Sequence, residues 1–169
     1  NQTFKNWIKK NNVYGNNKKG AVYLFCDEFT NYNDVQIGID TYNLLTNLGY
    51  EVRTVAHEES GRSMVSKGFL DEFNIIANKN ISIFKNLITE KTPLIGMEPT
   101  AILTFKDEYL RIADDKISAE RISKHCLTIE EFIQNEVSKK NINQSQFTNN
   151  PKNIKIHGHC HQKALIGME

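Results

Sequence analysis

The sequence predicts an α/β domain of three layers, in which a mainly parallel sheet of about four strands is flanked by helices. Residues 21–26 form a continuous apolar run bounded by polar residues, which is the pattern of a strand buried on both faces. Shorter strand-like segments at 50–56, 92–97 and 154–157 alternate with segments of helical periodicity. This alternation favours parallel strands joined by helical crossovers.

The helices are predicted from apolar residues that recur every three or four positions and from residues suited to their ends. Val35 begins one such series and Gly49 ends it. Thr128 and Glu131 have the spacing of a capping box, which predicts a helix over 128–139. The other helical segments are 63–88, with 78–80 as a candidate break, a helix that begins at Glu98-Pro99, and 118–125. The Asn-, Gln- and Lys-rich tract 140–152 is predicted to be a mobile loop.

The length, charge and cysteine content of the chain limit the classes of protein to which it can belong. The 169 residues can form one domain with a core that needs neither metal nor disulfide. A net charge of +1 gives no reason to expect nucleic acid as a partner. The sequence has no membrane-spanning run and no signal-peptide pattern. Its three cysteines are far apart, which indicates free thiols or ligands in a reducing compartment. We therefore expect a cytoplasmic protein, and the start at Asn1 without methionine suggests an excised piece of a longer one.

A histidine- and cysteine-rich tract near the C-terminus is the first candidate site. His157, His159 and His161 alternate with Gly158 and Cys160 directly after the predicted strand. If the strand continues, the three histidines share one face. Cysteine and histidine are the usual ligands of zinc and of iron–sulfur centres. The tract therefore indicates a metal site, either one half of a cluster site or a small hydrolytic metal centre on the three histidines.

Three other segments are candidate sites, each with a simpler structural alternative. Arg62 and Lys67 lie between a predicted strand and helix, where they could bind an anion at a helix N-terminus, although the Walker A pattern is not met. Cys26-Asp27-Glu28 follows the first strand and could hold a cation, but a solvated loop is the preferred interpretation. For Asp107-Glu108, surface ion pairs are preferred over catalytic carboxylates.

An ordered set of motifs resembles the C-terminal iron–sulfur oxidoreductase region, rich in cysteine and of the Cys-Cys-Gly type, of FAD-linked dehydrogenases. This family includes bacterial D-lactate and other D-2-hydroxy-acid dehydrogenases. The resemblance runs from Val22 to Leu165. It is carried by 27–32, 60–62 with 66–68, 96–99, 107–109 and 159–165.

The resemblance implies a parent protein in which FAD and 4Fe-4S clusters serve the oxidation of D-lactate or another D-2-hydroxy acid. The partners would be the rest of the same polypeptide, namely an FAD domain, a ferredoxin-like domain and a second cysteine-rich repeat; the electron acceptor stays open. Through such a parent the chain could also lie peripherally at the inner membrane. The alternative is an anion- or partner-binding α/β module without a redox role.

The chain departs from the family pattern at the cluster ligands. Glu58-Glu59-Ser60-Gly61 stands where the family has Cys-Cys-Gly, and no cysteine follows Pro99. Cys26 matches the first position weakly, and Cys160 matches the opening cysteine of the second repeat, an iron–sulfur ligand in the parent. The resemblance thus divides the chain into a lead-in at 1–20, a degenerate first repeat at 21–152 and the start of a truncated second repeat at 153–169. We expect no cofactor bound to this chain alone and no dehydrogenase activity from it.

Overall fold

The sheet has four strands, all parallel, in the order β2-β1-β3-β4. The computed structural model describes residues 2–11 and 19–167; residues 1 and 12–18 of the predicted lead-in, and residues 168 and 169 of the predicted second repeat, lie outside the described part. The strands are β1 (Ala21–Phe25), β2 (Glu51–Arg53), β3 (Leu94–Gly96) and β4 (Cys126–Thr128).

Helices cover both faces of the sheet, so the predicted three-layer α/β fold is confirmed. In the described residues they are α1 (Phe4–Asn11), α2 (Glu28–Tyr32), α3 (Val35–Asn47), α4 (Arg62–Lys67), α5 (Leu70–Phe84), α6 (Pro99–Leu103), α7 (Glu108–Ile112), α8 (Lys116–Lys124), α9 (Ile129–Ser138) and α10 (Cys160–Leu165). A 3₁₀ turn spans Gln144–Gln146. None of the described helices is both long and apolar enough to cross a bilayer.

The core consists of two apolar clusters, because successive strand residues point to opposite faces. Val22 and Leu24 of β1 belong to one cluster, together with residues of α1, α3 and α9. Phe25 belongs to the other cluster, together with residues of α5, α6, α7 and α8. The central strands β1 and β3 are therefore buried on both sides, which explains their continuous apolar sequences.

Gly96 at the end of β3 permits a close approach of helix and sheet. A Cβ atom there would lie 2.3 Å from the Cβ of Ile102 on α6. Any larger residue would push α6 away from the carboxyl end of β3. This contact fixes where the loop between β3 and α6 leaves the sheet.

The fourth strand is not the predicted one. Segment 154–157 forms no strand, and the side chains of Ile154 and Ile156 are 77% and 80% exposed. The fourth strand is instead the three-residue β4, which follows α8 and precedes α9. The Ile-Lys-Ile sequence has strand propensity, but propensity forms a strand only where a neighbouring strand is available for pairing.

Helix boundaries also differ from the prediction in two places. Gly68, with φ +79°, separates α4 from α5, whereas α5 runs through 78–80 without a break. The helix predicted from Glu98-Pro99 is divided into the short helices α6 and α7. The capping box at Thr128 is confirmed, with Thr128 Oγ accepting from the Glu131 N–H at 3.3 Å and Glu131 accepting from the Thr128 N–H at 2.9 Å.

The tract 140–152 and the N-terminal helix both contribute side chains to the core. Ile142 is buried in the core, and Phe4 and Ile8 of α1 are buried against the same cluster. The mobility predicted for 140–152 and the proposed division at 20 and 152 stay predictions.

Candidate functional site

The loops that follow β1, β2 and β3 meet at the carboxyl edge of the sheet, as the parallel order requires. The backbone N–H of Cys26, after β1, donates a hydrogen bond of 3.1 Å to Nε2 of His57, which follows β2. His57 Nδ1 donates to the carbonyl of Glu58 at 2.6 Å. Burial lowers the pKa of His57 to about 4, although the Glu58 hydrogen bond opposes the shift. His57 is thus a neutral imidazole that joins two loops of this edge.

Asp27 is a buried carboxylate at the same edge, which corrects the preferred interpretation of a solvated loop. It caps α2, and its two oxygens accept from the N–H and the hydroxyl of Thr30, each at 2.8 Å. Burial, with smaller contributions from nearby Glu28 and Glu98, raises its pKa to about 6 against the opposing effect of the hydrogen bonds from Thr30. Both oxygens already have donors, so the structural role as a cap accounts for this residue.

A hydrogen-bond network holds the loop after β2 at the positions where the family pattern has Cys-Cys-Gly. Glu28 accepts from the N–H of Ser60 at 2.9 Å and from its hydroxyl at 2.6 Å. Asn80 of α5 accepts from the Glu58 N–H at 3.0 Å and donates to the carbonyl of Glu59 at 2.9 Å. The hydroxyl of Tyr109 accepts from Asn80 at 2.9 Å and donates to the Ser60 carbonyl at 3.0 Å. Side chains from α2, α5 and α7 therefore fix this loop through hydrogen bonds.

Sequence reasoning assigned no role to Asn80 or Tyr109, although 107–109 is one of the segments that carry the resemblance. Asn80 lies on the apolar stripe of α5 and is completely buried. The sequence signal for Asn80 is a single amide side chain at a helix position where the spacing predicts a buried apolar residue. Such an amide indicates a structural hydrogen bond, because a buried amide must find hydrogen-bond partners. Tyr109 is buried with its hydroxyl satisfied, and its sequence context carries no comparable signal.

The three thiols lie in different environments. Cys26 is buried, its Sγ lies 3.7 Å from the amide oxygen of Asn31, and burial raises its pKa to about 12, opposed by Lys5. Cys126 is buried in the cluster on the opposite face, and burial raises its pKa as well. Cys160, the first residue of α10, is exposed. A four-iron cluster needs about four ligands, normally thiolates. The cysteines of this chain therefore do not fit a cluster held by this chain alone.

The histidine tract does not form the predicted face of a strand. His157 is exposed in a segment without regular structure, and His159 caps α10 by accepting from the His161 N–H at 3.3 Å. The tract still reaches the carboxyl edge, because His157 and His159 line a cleft together with Pro99 of α6. His161 turns towards Asp107 and Glu108, with which it forms a group of three ligand atoms within 4.8 Å of one another.

The two candidate anion ligands lie at opposite ends of α4. Arg62 begins the helix and its guanidinium pairs with Glu108, whereas Lys67 ends it and is exposed. The structure does not bring them together at a helix N-terminus, and an anion site there stays a prediction. The preferred interpretation of Asp107-Glu108 as ion-paired residues is confirmed, because Asp107 pairs with Arg111 at 2.7 Å.

Comparison with known proteins finds similarity to one kind of enzyme. The chain is 24% identical over 154 residues to a D-2-hydroxyglutarate dehydrogenase of Haemophilus influenzae, a match that covers 88% of this chain and 14% of that relative. Dehydrogenases of the same name from Escherichia coli and Pantoea ananatis are 29% and 27% identical, over 54% and 52% of this chain and 9% of each relative. The chain thus spans about a seventh of the first relative's length or less. No protein-family model and no solved structure matches it.

Proposed function

We propose that this chain is a domain of a flavin- and iron–sulfur-dependent dehydrogenase that oxidises a D-2-hydroxy acid, with D-2-hydroxyglutarate preferred over D-lactate. The observation that carries the proposal is the similarity over 154 residues to a dehydrogenase named for that substrate. The ordered motifs of the FAD-linked family support it from the sequence. The flavin and the clusters of the parent would supply the redox chemistry.

Within such a parent, this chain serves as a scaffold whose carboxyl edge presents Cys160 to the rest of the polypeptide. Hydrogen bonds from Glu28, Asn80 and Tyr109 hold the loop after β2, where the family pattern has cysteines. Cys160 is exposed at the start of α10, which packs beside α6 at the end of β3. A ligand in that position is accessible to a cluster whose other ligands come from elsewhere in the parent.

The substrate proposal is tested with the full-length parent. Substrate-dependent bleaching of the flavin should be faster with D-2-hydroxyglutarate than with D-lactate, measured by stopped-flow absorbance. A parent that reduces its flavin with neither acid would refute the proposed function. A parent that prefers D-lactate would keep the dehydrogenase and reject the substrate.

The role of Cys160 is tested separately with Cys160→Ser in the parent. We expect less bound iron and slower electron transfer to an added dye, while flavin reduction by substrate is spared because it comes before the clusters. Cys126→Ala is the matched control, since Cys126 is buried away from the carboxyl edge. Iron content in the Cys160→Ser parent equal to that of the control would remove Cys160 from the site.

The chain alone gives a third test. Purified anaerobically, it should be folded, iron-free and inactive with D-2-hydroxy acids, since two of its thiols are buried in different clusters. Elemental analysis that found near-stoichiometric iron would show that the first repeat is competent to bind a cluster.

A further inference from the structure

Three potential metal ligands from distant parts of the sequence converge beside the carboxyl edge. Asp107 precedes α7, Glu108 is its first residue and His161 lies on α10. One carboxylate oxygen from each acid and one imidazole nitrogen lie within 4.8 Å of one another. More than 50 residues separate His161 from the acids, so the convergence is a product of the fold.

Two atoms of this group lack the partners that shielded polar atoms require. Glu108 Oε2 and His161 Nδ1 are shielded from solvent, and neither has a hydrogen-bond partner within the described part of the chain. Shielded polar atoms are satisfied in nearly all folded proteins, and each exception needs an explanation. Both atoms belong to residues of the group, so one species bound between Glu108 and His161 would give each of them a partner.

We propose that Asp107, Glu108 and His161 bind a divalent cation of the zinc class, with water completing the coordination. One imidazole nitrogen and two carboxylate oxygens suit zinc, and also manganese or iron(II). Ligand atoms around zinc at about 2.1 Å are roughly 3.4 Å apart in tetrahedral geometry. The three ligand atoms lie within 4.8 Å of one another, and rotation of Asp107, whose side chain makes no capping hydrogen bond to α7, would adjust the separation of its oxygen from the other two.

The arginines around the group orient the carboxylates and limit the affinity. Arg62 contacts Oε1 of Glu108 and leaves Oε2 without a hydrogen-bond partner in the described residues, and Arg111 contacts Oδ1 of Asp107. Hydrogen bonds to the outer oxygens of metal-binding carboxylates are common in metal sites. Their positive charges also oppose a cation, so we expect weaker binding than in closed structural zinc sites.

The cation would fasten α10 to α7 and so fix the helix that begins with Cys160. This inference concerns the chain by itself and does not depend on the proposed dehydrogenase function. It also differs from a site on His157, His159 and His161, because it uses one histidine of that tract and two carboxylates from another element.

Zinc titration of the metal-free chain by calorimetry, with cobalt(II) absorption as a second readout, tests the proposal. We expect one ion per chain and a visible cobalt spectrum without the intense ultraviolet band of a cobalt–thiolate bond. At zinc a hundredfold above Kd, the thermal midpoint should rise by about 5–10 °C. His161→Ala and Asp107→Asn should each weaken binding at least tenfold, and His161→Gln covers the case in which the alanine variant does not fold.

Two matched variants separate this site from its alternatives. His157→Ala removes an exposed imidazole of the same tract and should leave the Kd for zinc within twofold of that of the native chain. Arg111→Ala removes an exposed positive charge and should tighten binding by about two- to fivefold. Absence of binding, binding unchanged in His161→Ala, equal loss in His157→Ala, or a cobalt–thiolate band from Cys160 would each overturn the proposal.

Discussion

The buried carboxylate of Asp27 predicts a specific pH dependence of stability. In the unfolded chain its pKa takes the ordinary value of 3.8, whereas burial, with smaller contributions from Glu28 and Glu98, raises it to about 6 in the folded protein. Between these two values the folded state binds the proton more tightly than the unfolded state. The contribution of Asp27 to the free energy of unfolding is therefore largest below about pH 3.8. It falls as the pH rises to about 6 and stays constant at higher pH.

The magnitude follows from the linkage relation. A shift of about two units corresponds to about 3 kcal/mol over the whole range. Between pH 4.5 and 7.5 the same relation gives about 2 kcal/mol. Asp27→Asn cannot ionise, and its amide oxygen can still accept from the Thr30 N–H. The variant should therefore gain about 2 kcal/mol relative to the native chain when the pH is raised across this interval.

Urea unfolding of the native chain and of Asp27→Asn, followed by circular dichroism, gives the free energy of unfolding of each protein at pH 4.5 and at pH 7.5. The change between the two pH values is then compared between the two proteins. Any pH-independent effect of the substitution on the cap cancels in this comparison. Asp115→Asn is the matched control, because Asp115 also caps a helix by accepting from a backbone N–H, at 3.0 Å from Ser118, but is exposed. The Ser118 hydrogen bonds lower the pKa of Asp115. Its contribution is thus present above the unfolded pKa and is lost only as the pH falls through the lower folded value.

A change of less than about 0.5 kcal/mol for Asp27→Asn between the two pH values would refute the argument, since that is the size of an ordinary surface effect. A change equal to that of Asp115→Asn would do the same. Either result would mean that the Thr30 hydrogen bonds fully offset the burial of the charge.

Two further predictions concern the hydrogen-bond network and the three thiols. Tyr109→Phe should lower the free energy of unfolding by about 1–3 kcal/mol in the same urea titration, because it leaves the buried Ser60 carbonyl without its donor. The control Tyr32→Phe removes an exposed hydroxyl and should be nearly neutral, and equal effects of the two substitutions would contradict the network. In the folded native chain a disulfide reagent should react rapidly with Cys160, and it should react with Cys26 and Cys126 only after unfolding, because burial keeps these two thiols protonated. Fast reaction of a second thiol in the folded chain would contradict their burial.

The fold class could be predicted from the sequence because the central strands are buried on both faces. Residues 21–26 and 93–97 are apolar throughout, and such runs alternate with helical periodicity. The strand Cys126–Thr128 could not be predicted in the same way, since three residues between two helices carry no periodicity of their own. Segment 154–157 carries the local pattern of a strand, but whether it pairs depends on the tertiary structure.

The candidate site likewise has features that follow from the sequence pattern and features that depend on the tertiary structure. That Cys26, His57 and Glu98 lie at one edge follows from parallel strand order, and the structure confirms it. The contacts of Glu28 with Ser60 and of Arg62 with Glu108 join residues 32 and 46 positions apart. No local pattern specifies such pairs, because they depend on how α2, α4 and α7 pack at the edge.

The hydrogen-bond network also bears on whether cysteines in the loop after β2 could become cluster ligands. The family pattern would place cysteines at Glu59 and Ser60. Replacing Ser60 alone would remove the hydroxyl that donates to Glu28 and accepts from the Arg62 N–H. Glu28 would then keep only the Ser60 N–H from this loop, and a new thiolate beside a carboxylate would be disfavoured by like charge. Cysteines introduced singly should thus destabilise the loop before a cluster can form, which favours the hydrogen-bonded scaffold as the stable state of this domain.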